Sequence, residues 1–420
     1  MAEVSNTGSP SESTALASRL PEWLDPRRWR YAVPGSRDLR LDFLRGYLVI
    51  AMVVDHVGGE SVFTKFTGHN AFLVSAAEGF VFISGLLMGI VYGGRMTRLS
   101  LHEGMEGVLR RVGRLHVTVA ALTLAFVGMY LFTDWPLWYD RRGGLGVVNP
   151  LEAVAGALTL HYSFNGTDVL VIYVQMIIAS PLILYMLYSG RTAIVLVGSW
   201  LVWLVFQVFP TESEFLWTVH NSIFPFSTWQ ALFNTGIVLG YHRQHWPRLA
   251  AALGWPPLVA ALALAMPVLW RISDLYNAGQ INSLGLPWLT QEGFLPIFGK
   301  SNLGPGRLLA FFVVGVLAQQ LVTRAWLPLS RAFGWLLVPL GRGALVAYGA
   351  HLFLLGPYQG LFSTYLYGDQ HSLAAATIIH LLLLAPVFVL ITCWRRVSGF
   401  GEWVVGRVQR ALPLGHWQSG

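Results

Sequence analysis

The chain has 420 residues, of which 54% are hydrophobic and only 12% charged, with a formal net charge of +7 and a mean hydropathy of +0.54. A soluble domain carries about 25% charged residues, so this composition excludes an ordinary soluble protein and defines a polytopic membrane protein. The positive charge needs no nucleic acid to explain it, and one cysteine, Cys393, excludes an intramolecular disulfide and a cysteine-rich metal site.

Residues 1–36 are polar and carry no apolar core of signal-peptide type. They are expected to form a cytoplasmic leader ending in the cluster Trp23, Arg27, Arg28, Trp29, Arg30 and Tyr31, which suits a headgroup region. Hydropathy then predicts about ten spans, near 43–58, 70–93, 115–133, 167–188, 192–209, 227–241, 249–269, 305–322, 334–355 and 373–394. The expected fold is all-α: a single bundle of transmembrane helices over 37–395, followed by a short cytoplasmic tail over 396–420. With both termini cytoplasmic, 21 of the 28 basic residues fall on the inner side, and six (Lys65, Arg141, Arg142, Arg271, Lys300 and Arg307) on the outer. The positive-inside rule selects that orientation. Segment 95–114 has apolar residues at helical spacing with basic residues between, the pattern of an amphipathic helix on the cytoplasmic surface. The loops 134–166 and 270–304, rich in Trp, Gly, Pro, Asn and Asp, are expected to form re-entrant caps over an outward cavity.

The most informative stretch is Arg37 to Val57, RDLRLDFLRGYLVIAMVVDHV. Arg45 and His56 are eleven positions apart, which at ~100° per residue closes to within ~20° of three full turns and separates them by ~16.5 Å along the axis. A polar pair on one face is costly in lipid and points to a polar lining. The competing reading is a snorkelling arginine and a satisfied interior histidine.

Further along, Glu78 falls about eight residues into the second span, where it must pair, protonate or touch water. A helix-to-helix hydrogen bond is the plainer alternative. Asp168 opens the fourth span, as a polar ligand or as an N-cap in competition with Thr167. Trp229, Gln230 and Asn234 put polar groups on the sixth span, although tryptophan near an interface is commonly an anchor. Arg342 and His351 are nine positions apart and point to opposite helix faces. His116 is expected at the cytoplasmic end of the third span. There is no Walker-type loop, HExxH or GxSxG, and His56 has no second histidine in helical register, so no metal is expected.

The stretches RDLRLDFLRGYLVIAMVVDH and AAEGFVFISGLLMGIVYG resemble the opening of OpgC-type membrane proteins. The likeness continues in order through NGTDVLVIYVQMIIASPLIL, FSTWQALFNTGIVLGY, LGPGRLLAFF and LGRGALVAYGAHL, over roughly residues 37–395. The Arg45-to-His56 spacing also resembles the arginine–ten–histidine pattern of the wider type 3 membrane acyltransferases. The resemblance implies an O-acyltransferase of the bacterial inner membrane that takes succinyl or acetyl from cytoplasmic acyl-CoA, as co-substrate, to a hydroxyl of an extracytoplasmic polysaccharide or glycolipid. Under it, His56 is the candidate base, with Asp55 and Glu78 beside it. Arg45, Arg110, Arg111 and Arg114 are the candidate donor-binding residues. Asp168, Trp229 and His351 are the candidate acceptor-side residues. The three arginines on the surface segment have a plainer reading as a solvated or lipid-facing face. Without the resemblance two other classes stand: a transporter or flippase with His56 and Glu78 as a proton relay, and a non-catalytic scaffold.

Overall fold

A computed structural model describes residues 25–32, 37–69, 71–137, 149–210, 223–252 and 255–411. Most of the expected leader and the last nine residues of the tail lie outside them. All regular structure among the described residues is helical. The principal helices are α1 (Leu39–Val57), α2 (Ala76–Arg98), α3 (Leu101–Phe132), α4 (Pro150–Thr159), α5 (Asp168–Tyr188), α6 (Thr192–Val208), α7 (Phe226–Tyr241), α8 (Trp255–Asn277), α9 (Pro305–Arg324), α10 (Trp326–Arg342), α11 (Ala344–Tyr367) and α12 (Leu373–Ala411).

Six of these are long and apolar enough to cross a membrane, and α10 with α11 brings the number to seven if that bent pair is one span. The ten expected spans therefore divide differently. The charges of α1 and the short lengths of α6 (17 residues) and α7 (16 residues) keep them below that threshold. Thirteen of the sixteen α7 residues are buried, so α7 is an inner strut surrounded by protein. Its polar residues bolt it to α6: Gln230 donates to the Ser199 carbonyl at 2.8 Å, and Asn234 to Ser199 Oγ at 2.9 Å. The expected ninth span is broken, with an 86° bend between α10 and α11 at Gly343.

The expected amphipathic surface helix is not a separate element. Residues 95–98 end α2, and 101–114 are the first turns of α3, a single helix of 32 residues. Ser100 caps it by accepting from the Glu103 amide, and nothing between Arg114 and His116 breaks it. His116 thus lies mid-helix, where its Nε2 bonds the Leu158 carbonyl of α4 at 2.7 Å. The loop that follows α4 turns inward: Tyr162–Thr167 is wholly buried, and Asn165 and Gly166 take positive φ (53° and 82°) to make the turn.

Two close crossings set the frame. Gly85 and Gly89 of α2 face the carbonyls of Phe233 and Ile237, while Gly236 and Gly240 of α7 face those of Phe82 and Leu86. A Cβ at any of the four would overlap backbone, and the matched order makes α2 and α7 run parallel. Likewise Gly46 of α1 meets the Leu337 carbonyl and Gly341 of α10 meets that of Asp42. Asp42, 3% exposed, accepts two bonds from Arg37 (2.6 and 2.7 Å) and one from Arg342 at 3.3 Å. The main core lies among α1–α7 and α10–α12. A second core, with Leu269, Phe294, Phe298 and Val313, belongs to α8, α9 and the segment joining them.

Candidate active site

Helix directions sort the polar residues into two ends. The start of α1 and the ends of α2 and α7 carry arginines. The end of α1 and the starts of α2, α5, α7 and α9 carry His56, Glu78, Asp168, Trp229 and Arg307.

A cavity of about 2600 Å³ runs between α1–α2 and α8–α9, its wall carrying Arg45, Arg95, Arg98, Arg111 and Arg243 at the arginine end and Phe66, Thr67, Gly68 and Ser75 toward the other. Tyr92 lies in a π-helical turn at Gly89–Gly93 that shifts the register of α2 by one residue, and Arg95, just after it, stacks on the Tyr92 ring at 5.7 Å. Arg111 donates to Tyr173 Oη at 2.9 Å, and Arg45 stands within electrostatic reach of both Tyr173 and Arg111. The Nε atoms of Arg45 and Arg111 are buried without a hydrogen-bond partner among the described residues. Two adjacent guanidinium groups with orphaned donors are costly unless an anionic or strongly accepting group joins them. Of the candidate donor residues, Arg45 and Arg111 therefore face the cavity, whereas Arg110 pairs with Glu106 at 3.6 Å on the exposed surface and Arg114 is exposed. At the mouth, the Asp42 carboxylate holds the Arg37 guanidinium above its usual range.

At the other end, His56 Nδ1 lies 2.9 Å from Nε2 of His351, which α11 carries to it across the bundle. His351 is fully buried, and Tyr348, one turn back, sets its ring edge-to-face against it at 5.0 Å between centroids. Gln359 donates to the His56 carbonyl at 2.9 Å and Tyr367 Oη to that of Val57 at 2.8 Å, so the last turn of α1 is held by α11. Asp55 accepts from Thr67 Oγ1 at 3.0 Å.

Glu78 takes a different role from the one expected beside His56. Its carboxylate, 0% exposed, is taken up by Arg307 Nε on one oxygen and by the Ser75 amide (2.9 Å) and hydroxyl (2.8 Å) on the other. Arg307 also donates to the Phe298 carbonyl at 3.3 Å. This is a buried ion pair joined to a capping box, and it locks the start of α2 to α9. Asp168 is the first residue of α5, accepts from the Val169 amide at 2.9 Å, and stands within electrostatic reach of Tyr348 and Lys300. Trp229 is fully buried rather than interfacial, 4.9 Å from the Phe224 ring, and its indole N–H has no partner among the described residues. No group of three or more metal-ligating side chains occurs among the described residues.

Sequence reasoning did not single out Tyr348 or Gln359, and it gave no site role to Tyr173, which follows Asp168 into its span, or to Lys300, counted only among the outer basic residues. Each is an ordinary residue of an apolar run or loop, and only the packing of distant helices brings it to the site.

A helical bundle with membrane-spanning elements, a long cavity whose arginines gather toward one end and a histidine pair at the other defines an integral membrane protein with a polar site at each end. The family described as OpgC protein matches residues 37–397, and the chain belongs to it. Membership makes it a membrane acyltransferase and points to glucan modification. No curated protein matches the chain, and neither does any solved structure.

Proposed function

We propose that the protein transfers an acyl group, succinyl or acetyl, from cytoplasmic acyl-CoA to a hydroxyl of an extracytoplasmic glycan or glycolipid. The observation that carries this reading is the His56–His351 pair at the end of α1 opposite the arginines of the long cavity. A CoA thioester carries several phosphate charges and a glycan many hydroxyls, so neither crosses lipid unaided. Each must reach the protein from its own side.

Arg45 and Arg111 supply orphaned donors for a phosphate or pantetheine carbonyl, with Arg95, Arg98 and Arg243 nearer the mouth. At the other end a direct contact between two neutral imidazoles requires one nitrogen to donate and the other to accept. With Nδ1–H of His56 donating to Nε2 of His351, Nε2 of His56 carries a lone pair and serves as base. It takes the proton of the acceptor hydroxyl as that oxygen attacks the thioester carbonyl. The tetrahedral adduct collapses, the C–S bond breaks, and the proton passes from His56 to the departing thiolate. His351 plays the part of orienter, fixing the tautomer of His56.

We place the protein in the bacterial inner membrane with both termini cytoplasmic, on the positive-inside asymmetry. Labelling of cysteines introduced at Ser5 and Gly420 tests that orientation, and reaction of either with an impermeant reagent outside intact cells rejects it. The function itself is tested with purified protein in nanodiscs, radiolabelled acyl-CoA and a gluco-oligosaccharide. Label must move to the sugar with stoichiometric release of CoA. Absence of transfer, with coupled uptake of sugar into vesicles instead, would replace the enzyme by a transporter.

A further inference from the structure

A second, smaller cavity of about 600 Å³ lies among Ile223, Leu295, Pro296 and the loop 299–302, and Lys300 lines it. This loop directly precedes α9, so the cavity belongs to the end of the bundle that holds His56 and Glu78. The Lys300 ammonium stands 5.3 Å from the centre of the Phe224 ring, which packs on Trp229. Three carboxylates, of Glu78, Asp168 and Asp55, are within its electrostatic reach, together with the Arg307 guanidinium. None of the three comes within ion-pair distance of it among the described residues.

A structural counter-ion would be expected to close on its carboxylate. Here the most buried carboxylate, Glu78, is already satisfied by Arg307 and Ser75. Asp55 is engaged by Thr67, and Asp168 accepts from its own helix. Lys300 is therefore a half-buried cation with donors to spare, and burial pushes it below its usual range. Asp55 adjoins His56 in the chain. Asp168 reaches Tyr348, whose ring touches His351.

We propose that Lys300 is the residue that holds the acceptor, its ammonium donating to acceptor hydroxyl oxygens in this second cavity beside the Phe224 face. The proposal rests on the acyltransferase reading and adds to it the residue that sets acceptor affinity. Lysine offers three donors on a flexible stem, which suits a hydroxyl whose position changes as the reaction proceeds.

The test uses full-length protein in nanodiscs, radiolabelled acyl-CoA and a neutral gluco-oligosaccharide, comparing wild type with Lys300→Met and Lys300→Arg. Lys300→Met is expected to raise the acceptor KM about tenfold or more while the donor KM and the melting temperature stay at the wild-type values. Lys300→Arg is expected to recover most of the acceptor affinity. An unchanged acceptor KM in Lys300→Met overturns the proposal. So does a joint loss of donor affinity and thermal stability that Lys300→Arg does not restore, because a merely structural lysine behaves in that way. If wild-type protein moves no label at all, the acyltransferase reading fails first, and the two failures are told apart by CoA release from the wild type.

Discussion

Nδ1 of His56 and Nε2 of His351 stand 2.9 Å apart, although 295 positions separate them in the chain. At that distance one nitrogen donates and the other accepts, so each ring constrains the tautomer of the other. His56→Ala is expected to lower kcat by about 10²–10⁴, the usual weight of a general base, with the protein still folded and still binding acyl-CoA. His56→Gln should be equally inactive, since an amide cannot take the proton. His351→Leu should lower kcat by about ten- to a hundredfold without moving either KM, and His351→Gln, which keeps an acceptor for Nδ1–H, should lower it less. The rate should fall on acidification as the pair takes up a proton. Steady-state kinetics across pH check all four.

The candidate donor arginines of α1 and α3 separate by which way they face. Arg45→Ala and Arg111→Ala should each weaken acyl-CoA binding about ten- to a hundredfold, equivalent to ~1.5–3 kcal/mol for a lost charge-assisted contact. Arg110→Ala and Arg114→Ala should leave it within about twofold, because both side chains are exposed. Titration calorimetry with a non-hydrolysable acyl-CoA analogue distinguishes the two pairs. Equal effects from all four would return the arginines to a general attraction for the lipid surface.

Glu78→Gln leaves the Arg307 guanidinium buried without its counter-charge. The expected cost is about 3 kcal/mol of stability, read as a fall in melting temperature in detergent. The double variant Glu78→Gln with Arg307→Met should recover part of it, because the stranded charge is gone. A Glu78→Gln protein that melts normally but turns over slowly would instead assign Glu78 to the histidines.

Gly85→Leu forces a side chain into the Phe233 carbonyl. The expected destabilisation is about 1–3 kcal/mol, with reduced yield of folded protein in the membrane. Gly198→Leu, on a helix face with open space around it, should be silent and serves as the control.

Lys300 lies close to Glu78, Arg307, Asp168, Asp55 and the Phe224 ring, and its ammonium is held below the usual lysine range by burial. Its proton is therefore lost before pH reaches the ordinary lysine value of 10.5 as pH rises. The acceptor KM should climb on the alkaline side earlier than titration of an exposed lysine allows, and Lys300→Arg should remove that climb. Acceptor KM measured between neutral pH and the alkaline limit of the enzyme's stability provides the check.

Much of the architecture was readable from pattern alone, because membrane segments announce themselves in composition. The all-helical fold, the multi-pass character and the family followed from apolar runs and ordered motifs. What periodicity cannot show is which helix meets which. His56 was examined for a partner in its own register, whereas its partner comes from α11. Glu78 and Arg307 lie 229 positions apart, and their pairing is fixed by where α9 docks. The surface helix over 95–114 was misplaced because a basic amphipathic pattern looks alike on a membrane surface and on the polar extension of a long span. The break at Gly343 left no mark in hydropathy, because both arms of the bend are apolar.

That break has a geometric consequence for the histidine pair. Before the bend, Arg342 is tied to Asp42 near the start of α1; after it, His351 meets His56 near the end. The two arms of one corner thus grip a single helix at two places, and the residue count between Arg342 and His351 acts as a ruler. One residue inserted after Gly343 would turn His351 by ~100° about its own helix while leaving the Asp42 clamp intact. The proton-handling pair would then come apart in a protein otherwise correctly assembled, so length in this short stretch is under tighter constraint than side-chain identity.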